Sequence, residues 1–376
     1  PGPTVVDLYL RVDPGAGTVQ ASTSIDGAVP VAVGGPLAVP TSWFSGAIAP
    51  AVGIISTSAG PAPAFPATWD FLEVQPAGAG PAPSTSIAVG APGLNSSTFN
   101  SGSFRVTNTS PGGQQIASVR FDLATSLLPD LVFDPNGAGG DSLGKGFTVD
   151  SNPGVGAIGH SFGGLHDGGF DVLNASFTDF GPGETLTFSV DIDPTSIKGT
   201  GPPGPGEAGS VSGLELAAAT VTVTYEDGSA ETGRLYRTPG SLGESQVRLD
   251  GTGRPVPSVA VVGVPSTPAT VTQPAQTIRV TGPAGASVRL LAVEGALFTA
   301  GVPGGGFDLD PFEANSLVAV GEHTATIGPA GSVDIPITLT SIVAGGGNNR
   351  MVAVVESAGG TGPTSNVAVL QLDQSG

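Results

Sequence analysis

Apolar residues along this chain recur in short runs that alternate with polar ones. Thr4–Val12 (TVVDLYLRV), Thr18–Ile25 (TVQASTSI), Gln115–Leu123 (QIASVRFDL) and Leu216–Tyr225 (LAAATVTVTY) are clear cases. A period of two sends successive side chains to opposite faces, so each run predicts a strand with one face buried. Gly, Pro, Asn or Asp interrupts the runs about every eight to twelve residues, which is the punctuation of β-sandwiches. No window of helical length is convincingly amphipathic. The nearest, Gly213–Thr220 (GLELAAAT), runs straight into the strand Val221–Tyr225.

The runs group into regions. Residues 1–75 hold a hairpin, a loop carrying Trp43 and Phe44, an apolar strand at Val52–Ile55 and a closing strand around Trp69–Val74. A Pro/Gly/Ala linker follows at residues 76–84 (PAGAGPAPS), a composition that favours an extended, semi-rigid spacer. Residues 85–252 carry about nine strand patterns, enough for a large central sandwich. They include Ser86–Val89, Gly102–Thr107, Asp130–Phe133, Gly146–Val149, Phe170–Phe177, Thr185–Val190 and Glu231–Tyr236, with Thr200–Ser210 as an exposed insertion. Asp227-Gly228 marks a hairpin turn. Residues 253–376 carry seven more: Ser258–Val264, Gln276–Thr281, Ala286–Val293, Thr324–Ile327, Ser332–Leu339, Asn349–Glu356 and Thr364–Leu372. Their number and spacing predict an immunoglobulin-like sandwich without the Cys…Trp…Cys signature. The expected fold class is all-β: a partial jelly roll, a large central sandwich and an Ig-like C-terminal sandwich.

Residues LYLRVDPGAGTVQASTSIDG, VPTSWF, AVGIISTS and FPATWDFLEV of the first region resemble the C-terminal part of bacterial concanavalin-like jelly rolls of the legume-lectin and laminin-G type. Such segments are the last strands of a longer roll, and only about 70 residues of one stand here. A partial roll leaves unpaired edges and an uncovered apolar face. Three readings follow: the chain is a fragment, the segment packs as a smaller sheet, or another chain supplies the missing strands. The chain begins at Pro1-Gly2-Pro3 without Met, so it reads as a processed or partial product.

Composition narrows the function. Gly 60 and Pro 35 bring disorder into play, but 39% hydrophobic residues against 11% charged ones favour a packed core. The net charge of −19, from 31 acidic and 12 basic residues, disfavours nucleic acid and anionic membranes as partners. No apolar run reaches membrane-span length. Cysteine is absent, which removes disulfides and thiolate metal sites. An extracellular protein with no cysteine fits a prokaryotic source better than a eukaryotic one.

Candidate chemistry is sparse. Asp130, Asp134, Asn136, Asp141 and Asp150 place hard oxygen ligands among glycines in PDLVFDPNGAGGDSLGKGFTVD, where they would wrap Ca²⁺ or simply form turns. His160, His166, Asp167 and Asp171, in a glycine-rich stretch read as a loop, suggest a divalent-metal site or turn residues. Trp43, Phe44 and Trp69 are the aromatics that would stack on sugar rings, or else they fill the core. Asn95, Asn108 and Asn174 begin N-x-S/T sequons for glycosylation. There is no nucleophile elbow, the three histidines offer few bases, and His323 reads as a surface residue. The expectation is a secreted, non-enzymatic structural or adhesive protein at an extracellular location. Its expected partners are copies of itself, joined by strand exchange into a filament or layer. The alternatives are a carbohydrate-binding module, Ca²⁺-dependent or not, and an accessory fragment of a polysaccharide-degrading enzyme.

Overall fold

The computed structural model describes residues 6–13, 17–25, 30–39, 82–91, 97–128, 130–152, 154–195, 198–199, 211–241, 243–251, 256–295, 320–340, 346–357 and 360–374. The chain divides into two compact units, Pro1–Pro81 and Ala82–Gly376.

In the first unit, β1 (Val6–Asp13), β2 (Thr18–Ile25) and β3 (Val31–Ala38) form an antiparallel meander. The sequence announced the first two through their alternation. The third was not expected, because Gly34, Gly35 and Pro36 obscure its pattern. Leu8, Leu10, Val31, Val33 and Leu37 are all exposed. The closing strand of the jelly-roll resemblance, Trp69–Val74, lies outside the described residues.

The second unit is tandem β-sandwich throughout. Its first sandwich is built from β4 (Thr85–Gly90), β5 (Phe104–Asn108), β6 (Ile116–Asp122), β7 (Leu131–Phe133), β8 (Thr148–Ser151), β9 (Ile158–His166), β10 (Gly169–Phe177), β11 (Thr185–Ser189), β12 (Ile192–Pro194), β13 (Thr220–Tyr225), β14 (Ala230–Arg234), β15 (Tyr236–Arg237) and β16 (Glu244–Leu249). One sheet runs β12-β7-β10-β6-β13-β14 with β9 also paired to β10, and the other runs β15-β16-β4-β5-β11-β8. Strands read from alternation bury the residues that alternation selects: in β13, Val221, Val223 and Tyr225 face inward. Between the sheets Phe104 stacks on Phe188 at 4.7 Å, and Phe121 meets both rings edge-on at 5.4 and 6.0 Å. Offset and edge contacts of this kind add to plain area burial.

Gly213–Ala218, the nearest approach to a helix, is a chain of buried turns closed by Ala217 N–H to Leu214 O and Ala219 N–H to Leu216 O. The stretch read as a glycine-rich loop around His160 is the strand β9 instead. Asp167 and Gly168 close its hairpin with β10 at φ +46° and +100°, the pair of positive angles a two-residue turn needs.

The second sandwich comprises β17 (Ser258–Val261), β18 (Ala269–Val271), β19 (Ala275–Thr281), β20 (Ser287–Gly295), β21 (Val320–Thr326), β22 (Ser332–Thr338), β23 (Gly346–Ser357), β24 (Gly360–Thr364) and β25 (Ala368–Asp373). A β17-β19-β22 sheet faces a sheet ordered β18-β25-β23-β20-β21, with β24 paired to β23 and β18 parallel to β25. Ile278, Ile335, Leu290, Met351 and Leu370 fill the space between.

The two sandwiches share a core. Leu291, Val293, Val352 and Val354 of β20 and β23 belong to the apolar cluster of the first sandwich. Around this contact Arg289, 5% exposed, pairs with Glu322 at 2.7 Å and with Glu356, and its guanidinium lies 4.9 Å from the centre of the Tyr236 ring. Tyr236 Oη donates to Arg289 O at 3.2 Å, Thr364 Oγ1 to Arg234 O at 3.1 Å, and Arg350 Nη1 to Leu127 O at 3.0 Å. A joint that is apolar at its centre and ion-paired around it holds the two bodies as one.

Candidate functional site

The chemistry-bearing feature of the described residues is a group of buried aspartates beside the loop that follows β7. Asp134, at the end of β7, is fully buried. Its carboxylate organises the loop: Oδ1 accepts the Ala138 N–H at 2.9 Å, and Oδ2 accepts those of Gly139 and Gly140 at 2.8 and 2.9 Å. Gly137 turns the chain at φ +66°. Gly140 then lies against β12 so closely that a Cβ there would stand 2.1 Å from Asp193 Cβ. The next residue, Asp141, is 4% exposed; its N–H donates to Asp193 Oδ2 at 3.2 Å and its Oδ1 accepts the Leu143 N–H at 2.5 Å.

Asp191 and Asp193 flank Ile192 at β12 and complete the group, at 5% and 1% exposure. The Asp134 N–H donates to Asp191 O at 3.0 Å, and the Asp191 N–H to Lys145 O at 3.0 Å, which ties the loop to the strand from both ends. Burial, then the negative charge of Asp141 and Asp134, pushes the Asp191 carboxyl up to about 8. Burial, then the charges of Asp191, Asp141 and Asp134, pushes Asp193 up to about 9. Burial also raises Asp141. The nearby cation, Lys145, spends its ammonium on Phe99 O at 2.6 Å and on the Phe99 ring. Four carboxyl groups therefore share a water-poor pocket with little countercharge.

The sequence-predicted calcium ligands divide. Asp134 and Asp141 come together here. Asp130 does not join them; it supports the charge of buried Arg350 across the joint between sandwiches. Asn136 is exposed, and Asp150 instead accepts the Gly102 N–H at 2.7 Å. Asp191 and Asp193 were missed, since fifty residues of sequence separate them from the loop. Their one signal was two acidic residues alternating with Ile192 inside an otherwise apolar strand. Among the described residues, no group of three or more His, Asp or Glu side chains is placed so that it could hold a metal ion.

His160 and His166 do not meet. His160 stacks on Phe147 at 4.9 Å, whereas His166 Nδ1 lies 3.0 Å from Asp171 Oδ1 and Nε2 3.7 Å from Asp167. His323 lines an open groove with Gln276, Thr277 and Thr338. Glycosylation at Asn108 does not fit the folded chain. The residue is fully buried, and its amide nitrogen donates to Gln114 O and Phe180 O, both at 2.8 Å. Asn174 is half-buried between core residues Leu173 and Ala175 on β10. Asn95, Trp43, Phe44 and Trp69 lie outside the described residues. Among the described residues, no helix is long and apolar enough to cross a membrane.

No known protein family matches the chain, and no curated protein does. Among solved structures, the tetra-tandem repeat in the extending region of a large adhesion protein is similar at 13% identity and a TM-score of 0.20, over 99% of this chain and 74% of that one. The N-terminal domain of the Streptococcus gordonii adhesin Sgo0707 is similar at 8% identity and a TM-score of 0.16, over 72% of this chain and 60% of that one. Likeness at these TM-scores carries no argument about function.

Proposed function

We propose that this is a non-enzymatic structural and adhesive protein of the prokaryotic cell surface or extracellular matrix, whose copies associate through β-strand edges. The observation that carries the reading is β9. It is a nine-residue strand paired, among the described residues, only to β10, and its sequence IGHSFGGLH contains no Lys, Pro, Asp or Glu. Those are the residues that normally block pairing at an exposed edge, and Leu165 at its outer end is 76% exposed. The apolar residues exposed on β1–β3 point the same way. Two sandwiches fused through a common core supply stiffness, which suits a scaffold. The acidic charge and the lack of cysteine agree with an extracellular setting.

Sedimentation at rising protein concentration, followed by negative-stain microscopy, tests the proposal: assemblies are expected, and a monomer at every concentration sinks it. The carbohydrate-binding alternative rests on Trp43, Phe44 and Trp69. A glycan array read with and without chelator tests it, and no binding in either condition removes it.

A further inference from the structure

We propose that the open face of the β1–β3 sheet packs against the same face of a second copy, a contact separate from the β9 edge; the inference rests on the reading that copies of this chain associate. Register gathers the apolar residues. On β1, Val6, Leu8 and Leu10 stand opposite Ile25, Thr23 and Ala21 of β2, so all six share one face. Across β2, Val31 and Val33 of β3 stand opposite Thr23 and Ala21, and Leu37 opposite Val19, which extends the same face. Apart from Val19, the Val, Leu and Ile side chains of this face named here are each 53–68% exposed. The opposite face takes Asp7, Arg11 and Asp13 together with Ser22 and Ser24, and Ser24 is 2% exposed. An antiparallel sheet with one dry face ordinarily buries its apolar side. Here the apolar side is the open one.

Area, charge and shape select a second copy as the occupant. The open side chains expose on the order of 600–700 Å² per copy, close to the ~800 Å² that each partner contributes to a stable interface of standard size. At a net charge of −19 two copies repel, but the three charged residues of β1–β3, Asp7, Arg11 and Asp13, all lie on the opposite face. Apposed apolar faces therefore bring no like charges together. A three-stranded sheet with one open apolar face is also half of a β-sandwich. A twofold axis supplies the other half from an identical, self-complementary surface, with the sheets about 10 Å apart. Lacking charge, amide and aromatic ring, the face offers a sugar or an ionic ligand nothing to grip. A twofold contact closes at two copies, so growth beyond a dimer still needs the edge of β9.

Leu165→Lys, which blocks the β9 edge, separates the two contacts. Sedimentation equilibrium of the full chain carrying it should show dimers at rising concentration. Adding Leu8→Lys and Val33→Lys, both at exposed positions, should weaken that dimer at least about a hundredfold, because four lysines then meet across the interface. Arg11→Glu, on the opposite face, should leave it unchanged. Cysteine is absent from the chain, so a single introduced thiol reports the contact and decides the matter should the lysine variant not fold. In the Leu165→Lys background, a short bis-maleimide should join Ala21→Cys between chains and should not join Arg11→Cys. A Leu165→Lys chain that is monomeric at every concentration, while the wild type assembles, overturns the inference and leaves edge pairing standing; a face covered within its own chain gives that result. Dimers that survive the two face lysines overturn it, as does an Ala21→Cys chain that folds and does not cross-link. Wild-type protein that stays monomeric at every concentration removes both the inference and the reading beneath it.

Discussion

Asp134 shows how much one side chain settles in this molecule. Its two oxygens gather the N–H groups of Ala138, Gly139 and Gly140 in the tight turn. Asp134→Ala should cost about 3 kcal/mol, the scale of losing charged hydrogen bonds in a buried place, as read by urea unfolding. Amide exchange should rise first at residues 138–140; unchanged exchange there contradicts the role given to the carboxylate. In the core, Phe104→Ala should cost about 3–5 kcal/mol, because Phe121 and Phe188 are held by β6 and β11 and cannot collapse into the space. A loss below about 1 kcal/mol would mean that the three rings do not form the centre of the sandwich. Residue chemistry was only half legible in the sequence. Asp134 and Asp141 stood out because glycines surrounded them, whereas Asp191 and Asp193 were hidden in a strand whose apolar neighbours disguised their burial. Asn108 looked like a surface sequon, and only the fold reveals the carbonyls of Gln114 and Phe180 that hold it.

At the level of elements, strands with one wet face could be read directly. Thr220–Tyr225 alternates and is placed accordingly, and Thr18–Ile25 falls where the sequence puts it. β9 could not be read, because an edge strand with three glycines and two histidines among its nine residues satisfies its backbone through β10 rather than through an apolar face. The short β12 and β24 were missed for a related reason: three to five residues cannot show a period. The open edge of β9 carries a prediction of its own. Leu165→Lys places a charge on an already exposed position, so stability should move by no more than about 0.5 kcal/mol. Self-association should nevertheless fall sharply in sedimentation, since a lysine on an edge opposes pairing with another chain. Undiminished assembly in this variant would move the contact away from β9.

For the whole molecule, two features govern behaviour. The first is the joint between sandwiches, where Arg289 is buried between Glu322 and Glu356. Arg289 is buried while Glu322 and Glu356 keep contact with solvent, so Arg289→Ala removes charged hydrogen bonds without burying a lone charge and should cost about 1.5–3 kcal/mol. Calorimetry should show the two sandwiches unfolding together in the wild-type chain and separately in this variant; one unsplit, unshifted transition in the variant would show that the joint does not couple the sandwiches. The second is pH. Asp191 and Asp193 have their carboxyls raised from 3.8 in the unfolded chain to about 8 and about 9. The folded chain therefore binds more protons than the unfolded chain between these values, and stability falls as pH rises through that window. In chelator, the thermal midpoint should decline from about pH 4 to pH 9 and then level off, apart from other titrations. A midpoint that rises across the alkaline half of the window in chelator would contradict the raised carboxyls of Asp191 and Asp193.

Self-association through strand edges is the central claim, and negative-stain microscopy of the purified chain at increasing concentration tests it most directly. The account predicts filaments or layers that disperse in the Leu165→Lys variant. Dispersed single particles of the wild-type chain at the highest concentration reached would contradict it.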